Sequence, residues 1–352
     1  MDILSLDPTL SKASKSDKPW ETHRMVADAV QRVFLSSSRK EQIRRGERMQ
    51  SCGPYLIFKL LQDPESEELR HKLRYAEFCR VRLCPTCMWR KSMAWRARFY
   101  QAWPLIQKKY KSARYFHLVL TIPNCEITEL RREIDRISKA WNRMVARRTW
   151  PAIGFLKSVE VTRDKKGKSH PHVHVLMMVK PEYFSRKYMN RDDWREYWAT
   201  ALRVPVESII HPYVRSVRGV EDISKLVLEV AKYAVKTKSM ASVCRHKPGQ
   251  AWFLELDKQL EGTKAITLGG VLKTLINSDE ISDLEMLKQD KMETGKLLND
   301  LHYNWFPEKK SFLRTKILDQ VETEWWNKQE EKWSKRKFLR GINVDNAQNI
   351  AS

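Results

Sequence analysis

The run HPHVHVLMMV, beginning at His170, sets His172 and His174 two residues apart among β-branched and aliphatic side chains. In an extended strand alternate residues share a face, so these two imidazoles project side by side while Val173 and Val175 turn the other way. Two imidazoles at that separation suit a shared divalent cation. The upstream run FLKSVEVT (155–162) reads as a second strand, and the polar stretch 164–168 reads as the turn between the two. Pairing through that hairpin would carry Glu160 into the same site. Two imidazoles and a carboxylate leave coordination positions open, and Mg²⁺ or Mn²⁺ suits such a site when the substrate brings phosphate oxygens. The plain alternative is a surface histidine pair on a strand.

Other chemistry built on paired histidines fits less well. No Glu follows a few residues after His174, as a cupin-type site needs. A zinc deaminase needs H-x-E followed by P-C-x-x-C, whereas Cys84-Pro85-Thr86-Cys87 lies upstream of the histidines here. Further along, LVLEVAKYAVK (226–236) places Glu229, Tyr233 and Lys236 at helical spacings of four and three, on one face, with Val227, Val230, Ala231 and Ala234 toward the other. A nearby cation or ammonium would favour the phenolate that a tyrosine nucleophile requires, and Lys236 is placed to help or to hold a phosphate. Glu229 is one turn away, in reach to act as general base for a water. An ordinary amphipathic helix accounts for the same pattern.

Four cysteines, Cys52, Cys79, Cys84 and Cys87, could close a tetrahedral Zn²⁺ site; buried free thiols are the other reading. Cys125 and Cys244 lack partners at ligand spacing and read as packing residues. Arg80, Arg82, Arg90, Arg96 and Arg98 flank the cysteine group and are offered as DNA contacts.

These residues need a frame. The expected elements are strands at 115–122, 155–162 and 172–179, with helices at 89–110, 127–145, 192–202 and 220–238. Strands interrupted by helices, with a hairpin at the centre, indicate an α+β domain built on a central antiparallel sheet with flanking helices. The expected organisation is a basic, partly disordered segment at 1–50, a cysteine (zinc) module with a basic helix at 51–110, the α+β domain at 111–275, and a charged helical C-terminal extension at 276–352. The chain has 352 residues, 42% of them hydrophobic, with 13 tryptophans, which is enough apolar material for a real core. Its formal charge of +23 favours a polyanionic partner. No basic, apolar leader and no run of 18 apolar residues is present, so no membrane association and a cytoplasmic location are expected, with thiols kept reduced.

Three motifs occur in a fixed order: LVLTIPN (118–124), HPHVHVLMMV (170–179) and EVAKYAVK (229–236). Together they resemble the HUH endonuclease superfamily, and specifically the single-tyrosine replication initiators of bacterial rolling-circle plasmids. The likeness spans about residues 79–275, including Gly269-Gly270-Val271-Leu272-Lys273 near the end of the conserved region. CRVRLCPTC (79–87) resembles the knuckle that precedes the nuclease core in that family. The resemblance implies Tyr233 as nucleophile at the double-strand origin, leaving a 5′-phosphotyrosyl link and a 3′-hydroxyl primer. It implies His172, His174 and Glu160 as ligands of Mg²⁺ or Mn²⁺, with His170 orienting them, and Glu229 as the residue that activates water at termination. Partners implied are single-stranded and origin double-stranded DNA, and the host helicase and polymerase. Within this chemistry an HUH transposase is the neighbouring reading; outside it, a non-catalytic zinc-dependent DNA-binding regulator.

Overall fold

The computed structural model describes residues 7–231, 237–277, 279–287 and 296–318. Nine strands are present among them: β1 (Tyr55–Gln62), β2 (Leu69–Ala76), β3 (Arg114–Thr121), β4 (Ala152–Arg163), β5 (Ser169–Val179), β6 (Tyr213–Val217), β7 (Ile266–Gly270), β8 (Lys296–Phe306) and β9 (Ser311–Leu318). The described residues divide into two compact units, one drawn from 7–18, 55–76 and 296–318, the other from 19–54 and 77–287.

The larger unit holds a five-stranded antiparallel sheet in the order β6-β3-β5-β4-β7. This is the mixed architecture of antiparallel sheet and helices expected from the sequence, with β4 and β5 forming the expected hairpin. One face of the sheet carries Phe116, Leu118, Leu120, Val173, Val175 and Met177, packed with Ile137 and Trp141 of the helix Leu130–Val145 and Trp194 and Trp198 of the helix Arg191–Leu202. The other face is covered by the helices Pro85–Lys109 and Gly219–Ala231, whose apolar residues join Leu176 and Met178 in a second core. The sheet is thus buried on both faces. That explains why β5 is apolar on both sides after His174, a pattern alternation alone does not give. At the end of β7, Gly269 stands against the Phe155 ring, and Gly270 has φ +56° with the Ile153 carbonyl where a side chain would go. A side chain on either would break the close approach of β7 to β4.

Lys157 is the odd residue of this core. It is buried with its ammonium 5.3 Å from the centre of the Trp141 ring, and burial lowers its pKa to about 8. The folded state therefore disfavours the charged form. The penalty is fully present below pH 8 and fades as pH rises toward the ordinary lysine value of 10.5. Replacing Lys157 by Met should raise stability by roughly 2–3 kcal/mol at pH 7, with the gain vanishing near pH 11, as measured by urea unfolding at both pH values.

The smaller unit is a four-stranded antiparallel sheet, β2-β1-β8-β9. Here the sequence expectation fails. The tail at 276–352 was expected to be helical, but 296–306 and 311–318 are strands. The high charge of this region suggests a solvated helix, yet Leu301, Tyr303 and Trp305 recur at period two and are buried. The rest of the tail, with Trp325, Trp326 and Trp333, lies outside the described residues. The expected cysteine module at 51–110 is likewise interrupted, because β1 and β2 pair with this tail. In the basic N-terminal segment, whose stretch 22–48 reads as helical from its sequence, helices cover Lys18–Leu35 and Lys40–Met49, and a short one, Leu10–Ala13, falls in the first 20 residues, which read as poorly ordered. No described helix is long and apolar enough to cross a membrane.

Candidate functional site

The antiparallel register of β4 and β5 sets Glu160 directly opposite His172 and Ser158 opposite His174. Both histidine Nε2 atoms converge on one carboxylate oxygen, Oε2 of Glu160, at 3.2 Å from His172 and 3.0 Å from His174. All three residues are buried, and their donor atoms lie within 4.8 Å of one another. Burial pushes the Glu160 carboxyl upward, but the hydrogen bonds and charge of the two imidazoles outweigh it and hold the pKa at about 2. The carboxylate is thus ionised at any working pH.

The remaining ring nitrogens are anchored. Nδ1 of His172 lies 3.2 Å from the His170 carbonyl oxygen, which accepts its proton. Nδ1 of His174 lies 3.2 Å from Nε2 of His117 on β3. Fixing the far nitrogen of each ring presents Nε2 to a shared ligand, the arrangement that orients metal-binding histidines. His170 thus contributes its carbonyl, while its side chain turns to Asn124, with Nδ1 2.6 Å from Oδ1. Sequence reasoning missed His117. It is buried, its ring stacks 5.4 Å from that of His174, and burial reinforced by the charge of His174 lowers its pKa to about 4.

The set fits a divalent cation on its own chemistry. Two imidazoles and an ionised carboxylate converge on one point. Beside them, the buried hydroxyl oxygens of Ser158, opposite His174, and Thr121, opposite His172, have no hydrogen-bond partner among the described residues. Such orphaned hydroxyls suit water held around a bound ion.

Glu229 also comes to this place. With His117, Tyr213, Arg215, Lys225 and Leu226 it lines a cleft of about 330 Å³, and its charge is felt at the His117 ring. It is carried by the helix Gly219–Ala231; Tyr233 and Lys236 lie outside the described residues.

The four cysteines gather as well. Sγ of Cys52 is 3.5 Å from those of Cys84 and Cys87, and Sγ of Cys79 is 3.6 Å from Cys87. A tetrahedral Zn²⁺ with bonds near 2.3 Å needs sulfur separations of about 3.8 Å, so a closed metal site fits with little adjustment. All four are buried. Hydrogen bonds from the other three thiols pull Cys79 strongly toward the thiolate, while burial pushes Cys84 up. The long gap between Cys52 and Cys79 is the β1–β2 hairpin. Its ends are clasped where the Gly53 amide donates to the Glu77 carbonyl at 2.9 Å, which returns the chain to the cluster. Arg24 and Arg48 brace the site by donating to the carbonyls of Cys52 and Cys79.

Four of the five arginines expected to meet DNA also bond within the fold. Arg80 pairs with Asp283 at 2.8 Å, Arg82 donates to the carbonyls of Leu260 and Thr263, Arg90 donates to that of Met286, and Arg98 pairs with Glu285.

A buried histidine–carboxylate cup whose neighbour His117 lines a cleft, together with a buried four-thiol cluster, gives this strongly basic chain two side-chain groups able to hold a metal ion. Residues 70–313 match the family model described as "Replication protein". The chain is 27% identical over 311 residues to "Protein rep" of Lentilactobacillus hilgardii, covering 85% of this chain and 96% of that protein. It is 29% identical over 279 residues to "Protein rep" of Streptococcus pneumoniae serotype 2 (strain D39), covering 76% and 82%. It is 28% identical over 193 residues to "Protein rep" of Staphylococcus aureus, covering 53% and 80%. No solved structure matches. The chain belongs to the replication-protein family, the rolling-circle plasmid replication initiators that its motifs resemble.

Proposed function

We propose that this replication initiator is an HUH-type nuclease that opens the plasmid's double-strand origin by covalent strand transfer. The observation that carries the reading is the convergence of His172, His174 and Glu160 on one buried point beside a cleft that contains Glu229. Mg²⁺ or Mn²⁺ held by those three side chains would polarise the scissile phosphate and stabilise charge on the departing 3′-oxygen. The chain's own part begins with Tyr233, two residues after Ala231 in sequence. Its phenolate oxygen bonds to phosphorus, the bond to the 3′-oxygen breaks, and a 5′-phosphotyrosyl link and a 3′-hydroxyl primer result. Lys236 neutralises the phosphate, and Glu229 takes a proton from the water that ends the cycle. The primer serves the host polymerase, and the host helicase opens the template ahead of it in the cytoplasm. The four-cysteine cluster holds structural Zn²⁺ and braces the N-terminal helices against the nuclease sheet.

The test is a labelled origin oligonucleotide incubated with protein and Mg²⁺ or Mn²⁺. A nick with covalent attachment is expected, lost at least a thousandfold with Tyr233→Phe and with His172→Ala combined with His174→Ala. Undiminished cleavage by Tyr233→Phe would remove the nucleophile from this scheme. Origin binding by wild type without any nick would leave a zinc-dependent DNA-binding regulator instead.

A further inference from the structure

The helix Gly219–Ala231, which carries Glu229 near its C-terminal end, has a second polar site at its start. A cavity of about 550 Å³ opens there, lined by Lys111, Arg114, Tyr115 and Arg218, with Trp103 on its wall and Gly219 at the first helical position. Three of the lining residues are cationic and none is acidic. Gly219 has φ +71° with open space where a side chain would stand, so the backbone at the helix start can be approached closely. The helix is 13 residues long, and its free amides and dipole favour an anion at this end.

Two independent observations separate this cavity from an ordinary solvated basic face. Tyr115 is 4% exposed, and its hydroxyl has no hydrogen-bond partner among the described residues, a costly condition for a buried donor that a ligand oxygen would relieve. The cations are also uncommitted. Arg80, Arg82, Arg90 and Arg98 are tied to carboxylates or carbonyls. Among the described residues, Arg114 and Arg218 have no salt-bridge partner, and both are exposed.

The cavity is also in line with the metal cup. Tyr213, Arg215 and Val217 alternate along β6, the edge strand, opposite Val119, His117 and Tyr115 of β3, on the sheet face that carries the histidine–carboxylate cup. Val217 lines the basic cavity, whereas Arg215 and the 49%-exposed Tyr213 line the cleft with Glu229. About 15 Å of helix separate Gly219 from Glu229, a span of a few nucleotides of extended strand. We infer that the β6 edge is a single-stranded DNA track in which the cavity of Lys111, Arg114, Tyr115 and Arg218 seats a backbone phosphate a few nucleotides from the scissile one. Tyr213 offers its ring for base stacking at the near end, and Arg215 follows the backbone between. The direction of the track rests on the proposed cleavage site; its existence does not.

The experiment measures binding of fluorescein-labelled dT20 and of a 20-base-pair duplex to the full chain, without added divalent cation, across a salt series. Arg114→Ala combined with Arg218→Ala should weaken dT20 binding roughly tenfold and flatten the slope of log Kd against log salt by about 1.4, the share of two lost phosphate contacts on a single strand. The pair of Lys replacements should restore the slope, which a merely structural role would not do. Tyr115→Phe should weaken dT20 binding several-fold with the slope unchanged. An unaltered slope in the double Ala variant overturns the proposal, as does equal loss on the duplex, which would mark a general basic surface. Because no cleavage is involved, the outcome is independent of Tyr233. If Tyr233→Phe still nicks while the slope falls, the nucleophile assignment fails and the track stands.

Discussion

Serine in place of Cys84 should strip the protein of one tightly held Zn²⁺ and lower its melting temperature by roughly 10–20 °C. Cys84 is fully buried at the N-cap of the helix Pro85–Lys109, and Cys87 sits in that helix's first turn. Cys52 follows the N-terminal helices, so the cluster ties two segments that are distant in sequence, Cys52 and the stretch Cys79–Cys87. A closed four-thiolate Zn²⁺ site contributes folding free energy outright, with apparent values of about 10–16 kcal/mol in zinc-finger peptides, so losing part of it exceeds ordinary point-mutant effects. Without the ion, a buried hydroxyl would also stand among thiols that cannot all ionise together. Metal content by mass spectrometry on the native protein and a thermal melt check both halves. A variant that keeps its zinc, or loses it without a change in melting, would show that the cluster does not hold the fold together.

How much of this was legible in the sequence depended on how local each contact is. His172, His174 and Glu160 could be read together because strand alternation and a five-residue turn fix their relation within 15 residues. His117 could not. It lies in a run, Tyr115 to Ile122, that reads as a plain apolar strand, and only the register of β3 on β5 sets it beside His174. The same limit hid the smaller unit, where β1 pairs with β8 some 240 residues later in a stretch whose charge disguises its period-two core. Cys52 was harder to place than Cys84 and Cys87 because an intervening hairpin, not a loop, fills the gap. Arg80, Arg82, Arg90 and Arg98 show the converse limit. Charge in a sequence indicates a cation but not its partner, and carboxylates and carbonyls from 260–286 had already claimed these. Arg114 and Arg218, in contrast, lie at strand ends where the sequence gives no hint of a shared cavity.

Glutamine in place of Glu229 should leave the first nick near wild-type rate and slow release of the enzyme at termination by about a hundredfold or more, so that covalent protein–DNA adducts accumulate. The two steps differ in what they ask of this residue. Attack by Tyr233 requires loss of the phenol proton, which a cation in the histidine–carboxylate cup would favour. Attack by water requires a base within reach of the same phosphate. Glu229 lines the cleft beside His117, whose ring abuts His174 of the histidine–carboxylate cup, and it lies four residues before the tyrosine in sequence. Gln keeps its size and hydrogen-bonding reach while removing the basic oxygen, so packing of the helix against the sheet should be untouched and the melting temperature unchanged. Denaturing gels of a reaction on a labelled origin oligonucleotide separate free nicked strand from adduct over time. Equal adduct levels and equal turnover would reduce Glu229 to a solvated helix position, and would assign the water-activating role to another group at the cup, with His117 the first to test.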